Sequence, residues 1–398
     1  MKVPLILKKP FSYSTWKLRN ATTGLNLGRE WVEDHSPILV DLRTELSENR
    51  PFKGLNIGVC LPGTWEAFMY LTTLEFGGAS LLYYPMSCRA DVGFELSKRN
   101  SLRVIKNNGV KKMVHKCDFV HDSTAFLGKI LIGQRTSVKG IIEQTASGTN
   151  VYREMEHKGL LRQPVFDLDM SQIKRVGENK MATGLGLVEA LLKLHIFLPT
   201  KRVLVLGYGS VGEGCALYLS RLGCKVSIYD IDKNRVSEAS NSGYEVGELE
   251  QILPKTDIVV NATGSSTPVL GGRELENLKC GSILVNMGGN GWNRQFFEDK
   301  RKVEVGDWIT KIYVNNSKYI YEVARGYVIN FIFASGTDTE TMDTVFSLSV
   351  LALEYLVENH ESLSPTLQPI PDKIQSKHMD LVAKYSERTD FIALRSKL

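Results

Sequence analysis

Gly207, Gly209 and Gly212 stand at GxGxxG spacing in VLVLGYGSVGEGCALYLSRLGCKVSIYDID, residues 203–232. An apolar run precedes them and a helical pattern follows, which is the setting in which such glycines cradle a pyrophosphate. The first two permit a tight turn and close backbone approach, and the third lets helix and strand pack. Ser210 and Val211 fall in the first helical turn, whose free N–H groups attract phosphate. Asp230 follows the next apolar run, where a carboxylate bonds the adenosine ribose diol and repels a 2'-phosphate, so NAD is expected in preference to NADP. Two further turns, NATG with Thr263 and Gly264 and VNMGG with Met287 and Gly288, end later strands of the same region and could close over the nicotinamide half.

The elements that must position these residues are those of an α/β protein. GLNIGVC, the helical WEAFMYLTTLEFGG and GASLLYY form a strand, helix, strand unit, and VKKMVHKCDFVHDST and KGIIEQTASGT read as further strands with polar carboxyl ends. Ligands bind at such ends in parallel sheets. MATGLGLVEALLKLHIFL reads as a helix leading into the strand KRVLVLGYG, and the alternation continues through DIVVNATG and GSILVNMGG. The expectation is two doubly wound, Rossmann-like lobes with a cleft between them and a C-terminal extension. Residues 1–184 would bind substrate and 185–335 the dinucleotide, while 336–398 would supply a helix returning to the first lobe and a tail.

A chain of 398 residues with 43% hydrophobic and 23% charged residues is long enough for two cores and has ordinary globular composition. Its net charge of +5 is mild and its charges are interspersed, so no nucleic-acid partner is expected. The apolar run in MKVPLILKKPFSYSTW is too short for a signal peptide, and no run reaches the length of a membrane span. Six scattered cysteines without CxxC pairs fit reduced thiols, and together these features give an expectation of a cytoplasmic protein with a small-molecule partner. No His, Cys and carboxylate grouping has metal-ligand spacing.

GYGSVGEGCALYLSRLGCKV resembles the corresponding segment of the S-adenosyl-L-homocysteine hydrolase family. FKGLNIGVCLPGT, FVHDST, EQTASGT, PVFDLDMSQIKRVGENK and NFIFASGTDTETM fall in that family's order, so the resemblance spans roughly residues 35 to 355. It implies resident NAD that oxidises the 3'-hydroxyl of a nucleoside, acidifying the C4' proton so that the C5' substituent can leave. It further implies that Lys174 serves the 3'-hydroxyl, that Asn179 lies near the nicotinamide, and that Glu178 stands for the family's ribose aspartate. Asp122 is placed near the reacting carbons, Thr64 at the nucleoside, Thr145 and Ser147 at the cofactor, and Asn330 at the nicotinamide carboxamide. A homo-oligomer, dimer or tetramer, is also implied.

The chain departs from the family where protons must move after the ketone forms. Family histidines are replaced by Pro62, Gly289 and Thr337, the last still a substrate-side position, and a ribose glutamate is replaced by Gln144. The family's C-terminal lysine and tyrosine are not recognisable in TDFIALRSKL. Loss of one general acid or base costs about 100- to 10,000-fold. The resemblance with these losses implies an enzyme with an altered substrate or outcome, such as elimination without re-addition of water. Ordinary adenosylhomocysteine hydrolysis, a net 3'-dehydrogenase or epimerase, and a non-catalytic nucleotide-binding regulator are the alternatives. His121, next to Asp122, is a candidate substitute acid, or a structural histidine at a strand end.

Overall fold

The computed structural model describes residues 28–385 except 133, 135 and 335, and all of those except the side chain of Ser87. The N-terminal run MKVPLILKKPFSYSTW and the terminal TDFIALRSKL lie outside the described residues.

Six strands form first: β1 (Asn56–Gly63), β2 (Ser80–Cys88), β3 (Leu102–Val104), β4 (Phe119–Asp122), β5 (Gly140–Glu143) and β6 (Val165–Asp167). Then come β7 (Arg202–Leu206), β8 (Lys225–Tyr229), β9 (Glu245–Val246), β10 (Ile258–Asn261), β11 (Ile283–Asn286), β12 (Lys302–Gly306), β13 (Ile309–Tyr313) and β14 (Tyr319–Val323). The last strand, β15, is Leu367–Pro369.

The first sheet has the order β15-β6-β5-β4-β1-β2-β3, and every pair in it is parallel. The second runs β12-β13-β14-β11-β10-β7-β8-β9. Strands β14, β11, β10, β7, β8 and β9 are parallel in the doubly wound order, and β12 and β13 extend the sheet as an antiparallel hairpin. Strand order reverses between β1 and β4 and between β7 and β10, and the carboxyl ends of strands at such switch points are where these sheets bind ligands.

Sequence and structure agree on the alternation around GLNIGVC and GYGSVG. VKKMVHKCDFVHDST divides, however: Val110–Val114 is a helical turn and only Phe119–Asp122 is strand. KRVGEN, which resembles a polar turn in isolation, lies in a π-helical stretch, Ile173–Ala182, where the Thr183 N–H reaches the Glu178 carbonyl five residues back.

Helix Thr339–Asn359 buries Val345, Phe346, Leu348, Val350, Leu351, Leu353 and Leu356 in the core of the first sheet, so the chain returns to that sheet after building the second. β15 then adds a strand beside β6, and helix Asp372–Tyr385 buries Val382 in the same core. Among the described residues no helix is long and apolar enough to cross a membrane.

Candidate active site

The cofactor side is made chiefly of backbone. β7 is buried on both faces and ends in Gly207, whose φ of +89° is the left-handed region that favours glycine. A Cβ on Gly212 would lie 1.9 Å from the Gly207 carbonyl oxygen, so the helix Ser210–Arg221 starts hard against the turn. Gly209 is its N-cap and supplies no side-chain cap, which leaves N–H groups of the first turn, including those of Ser210 and Val211, for an anion.

Asp230 closes the cradle: one carboxylate oxygen accepts from Tyr208 N at 2.6 Å and the other from Asp232 N at 2.9 Å. The Arg235 guanidinium lies 3.9 Å from that carboxylate and beside Gly209.

The loops after β10 and β11 come to the same place. A Cβ on Gly207 would meet the Thr263 methyl at 2.8 Å, and one on Gly288 would meet the Thr263 carbonyl at 2.3 Å. Asn261 ties them by donating to the Asn286 Oδ1 at 2.8 Å and to the Gly289 carbonyl at 3.0 Å. Met287 turns its side chain into the core. Gly264 is exposed and faces Asn150, on the helix Ala146–His157 that follows β5.

Asn330 is buried; it donates to the Gly336 carbonyl at 3.3 Å while its Oδ1 has no partner. The tight glycine turn, the open helix start, the Asp230 carboxylate and this orphaned amide acceptor fit a dinucleotide, with Asn330 suited to a carboxamide N–H.

The residues expected on the substrate side include several buried side chains. Lys174 and Glu178 form an ion pair one π-helical turn apart, both nearly inaccessible, and Glu178 Oε2 is buried without a partner. The stretch that carries them packs on the cofactor helix: a Cβ on Gly214 would strike the Lys180 carbonyl, and Lys180 pairs with Glu213. Asn179 donates to Asp169 Oδ1 at 2.8 Å, which anchors the stretch to the loop after β6.

Asp122, which the resemblance sets near the reacting carbons, lies at the end of β4. It is fully buried, and its carboxylate accepts from Ser123 N, Leu127 N, Gly128 N and the Tyr152 hydroxyl at 2.7–3.0 Å. Glu143 beside it accepts from Thr124 N, Ala125 N, Thr145 N and the Thr145 hydroxyl. Burial, with the Asp122 charge next, pushes the Glu143 carboxyl up to about 8. The two carboxyls hold the loop after β4, where Thr124 and Ala125 both have left-handed φ. Thr145 is thereby locked, capping the helix Ala146–His157 through Gly148 N at 3.1 Å, with Ser147 exposed beside it.

Thr64 caps the helix Trp65–Phe76 by accepting from Ala67 N at 3.2 Å. The segment holding Thr337 comes to this helix start, since Thr339 donates to Glu66 at 2.9 Å. Gln144 is buried with its Oε1 unpartnered. His121 is fully buried, and burial holds its imidazole down to about 3. Sequence reasoning missed Tyr70, whose hydroxyl contacts His121 Nδ1 at 2.7 Å; a tyrosine inside an apolar helix gave no signal. Among the described residues no group of three or more His, Cys, Asp or Glu side chains is placed to hold a metal.

Comparison with known proteins accords with this geometry. The model of the S-adenosyl-L-homocysteine hydrolase NAD binding domain matches residues 186–336. S-inosyl-L-homocysteine hydrolase of Methanocaldococcus jannaschii is 30% identical over 363 residues, covering 86% of this chain and 87% of its own. Adenosylhomocysteinase of Thermotoga maritima is 28% identical over 370 residues, 87% of this chain and 91% of its own. That of Saccharolobus solfataricus is 28% identical over 363 residues, 86% of this chain and 87% of its own. The cofactor is NAD, and the chain belongs to the S-adenosyl-L-homocysteine hydrolase family.

Proposed function

We propose that this protein is an NAD-dependent enzyme that acts on a nucleoside through a 3'-keto intermediate and eliminates the substituent at C5'. The observation that carries the reading is the buried Lys174–Glu178 pair, with a free Glu178 oxygen, on a stretch packed against the cofactor helix. Among the described residues, those up to 184 form its substrate side, 185–335 its cofactor side, and those from 336 the return to the first sheet. Leu185, Leu192 and Phe197 leave an apolar face exposed, which supports association of two or more copies.

NAD supplies a hydride acceptor when bound. Lys174 passes a proton across the pair to Glu178 Oε1 and accepts the 3'-hydroxyl proton while the hydride leaves C3', and Glu178 Oε2 accepts from an adjacent sugar hydroxyl. The ketone acidifies the C4' proton, and loss of that proton expels the C5' group. Asn179 positions the stretch through Asp169, and Thr145, Ser147 and Asn330 face the cofactor. Asp122, saturated by four donors, acts by fixing the loop from 123 to 128 instead of exchanging a proton with the sugar. Thr64 and Thr337 contribute to the nucleoside end.

With proline, glycine and threonine at 62, 289 and 337, elimination without water addition, followed by return of the hydride to C3', is the favoured outcome, giving a 4',5'-unsaturated nucleoside. The second reading is hydrolysis of a homocysteine nucleoside, favoured by relatives that carry hydrolase names for S-inosyl- and S-adenosyl-homocysteine.

Mass spectrometry after incubation with each thioether separates the two. A nucleoside lighter by one water supports elimination, and intact inosine or adenosine supports hydrolysis. Neither product, together with an unreduced cofactor, would contradict both.

A further inference from the structure

The Tyr70 hydroxyl is fully buried, stacked on Phe346 at 4.9 Å and edge-on to the His121 ring at 5.1 Å. Its hydrogen-bond partner among the described residues is His121 Nδ1, at 2.7 Å. Burial keeps the phenol protonated, and a buried O–H left without an acceptor is destabilising. The hydroxyl hydrogen therefore goes to Nδ1. Burial also keeps the imidazole neutral, so its one ring proton is on Nε2.

Nε2 has no partner in good geometry, and neither has Gln144 Oε1, although both atoms are sealed from water. β4 and β5 pair with His121 opposite Ile142, and Gln144 N donates to the Asp122 carbonyl at 3.1 Å, so Gln144 follows Ile142 on the same face beside His121. Pairing the two orphans satisfies both. The amide nitrogen of Gln144 is not sealed in this way and makes no protein hydrogen bond among the described residues.

We infer that Tyr70, His121 and Gln144 form a hydrogen-bond relay of fixed polarity that turns the Gln144 NH2 toward the substrate, where it donates to a sugar oxygen. Tyr70 and His121 are positioning residues and Gln144 touches the substrate. Beside the free Glu178 Oε2, an acceptor, this gives one donor and one acceptor for the two hydroxyls of a vicinal diol. The inference rests on the nucleoside reading for its substrate class, but the polarity of the relay does not.

Two experiments on the full chain with NAD bound test it. Nitrogen-15 NMR of the His121 ring reads the tautomer without any substrate. The relay requires a protonated Nε2 and a bare Nδ1 from pH 5 to 8, and the opposite tautomer, or a ring doubly protonated in that range, would overturn it.

Calorimetric binding of adenosine reads the consequence. His121→Phe and Gln144→Ala should each weaken binding about tenfold or more, the worth of one buried hydrogen bond. The double variant should be no weaker than the worse single one, because both changes remove the same contact. Gln144→Glu, which keeps the acceptor and loses the donor, should behave like Gln144→Ala. Additive losses, or wild-type affinity in Gln144→Glu, would refute the relay, with NAD content serving as the check on folding. A wild-type protein that binds no adenosine would count against the nucleoside reading, and the NMR result would still decide the relay.

Discussion

The two halves of the site are built by opposite means. The cofactor half depends on backbone: a left-handed Gly207, a Gly212 with no room for Cβ, and an uncapped helix start, with Asp230 as its principal charged side chain. The substrate half depends on side chains drawn from β4, β5, the stretch Ile173–Ala182 and two helices, with buried atoms left unpaired at His121, Gln144 and Glu178. A backbone cradle tolerates little sequence change at its few glycines. A side-chain network can change its members and still fold, so altered chemistry belongs in the second half.

Four substitutions or conditions test this contrast. Gly212→Val has no space beside the Gly207 carbonyl and should abolish NAD retention, measured as cofactor released on denaturation. Retention near wild type would mean the turn is softer than its contacts imply.

Lys174→Ala should retain NAD yet slow cofactor reduction by adenosine about 100- to 10,000-fold, the usual range for a lost acid or base. Stopped-flow absorbance reads this, and unchanged reduction would remove Lys174 from the proton path.

The third test uses pH. Burial lowers the His378 imidazole to about 4 while its Nε2 contacts Ser347 at 2.9 Å, so the neutral form belongs to the fold. Stability from this group is complete above the unfolded value of 6.5 and is lost as pH falls toward 4. Linkage puts the loss at roughly 3 kcal/mol. His378→Phe should flatten the melting profile of the first lobe across that window, and an identical profile would contradict the assignment.

Asp230→Ala should weaken NAD by about tenfold, one or two hydrogen bonds' worth, and narrow the preference over NADP. Equal NAD affinity would place the ribose elsewhere.

This contrast also explains what was legible in the sequence. Gly207, Gly209, Gly212 and Asp230 carry their meaning in local spacing, because each acts through the strand and helix on either side of it. Lys174 and Glu178 were reachable only by resemblance, since nothing local marks KRVGEN as a buried π-helical stretch.

Asp122 was placed by the same resemblance near reacting carbons, but its four donors come from a loop and a helix that no local pattern connects to it. Tyr70 and His121 are 51 residues apart and meet only through tertiary packing. The β12–β13 hairpin was missed although KVEVG and ITKIY alternate around a two-residue connection, which is a hairpin signal. Its β12 strand is exposed throughout and so carried no apolar run to attract notice.

The central claim is that NAD here oxidises a sugar carbon on a bound nucleoside. Mixing the purified, NAD-loaded protein with adenosine in heavy water tests it most directly, with cofactor absorbance followed in time and the recovered nucleoside analysed by NMR. NADH absorbance should appear without added dehydrogenase substrate, deuterium should enter C4', and Lys174→Ala should show neither. An unreduced cofactor and an unlabelled C4' in the wild-type protein, with adenosine shown to be bound, would contradict it.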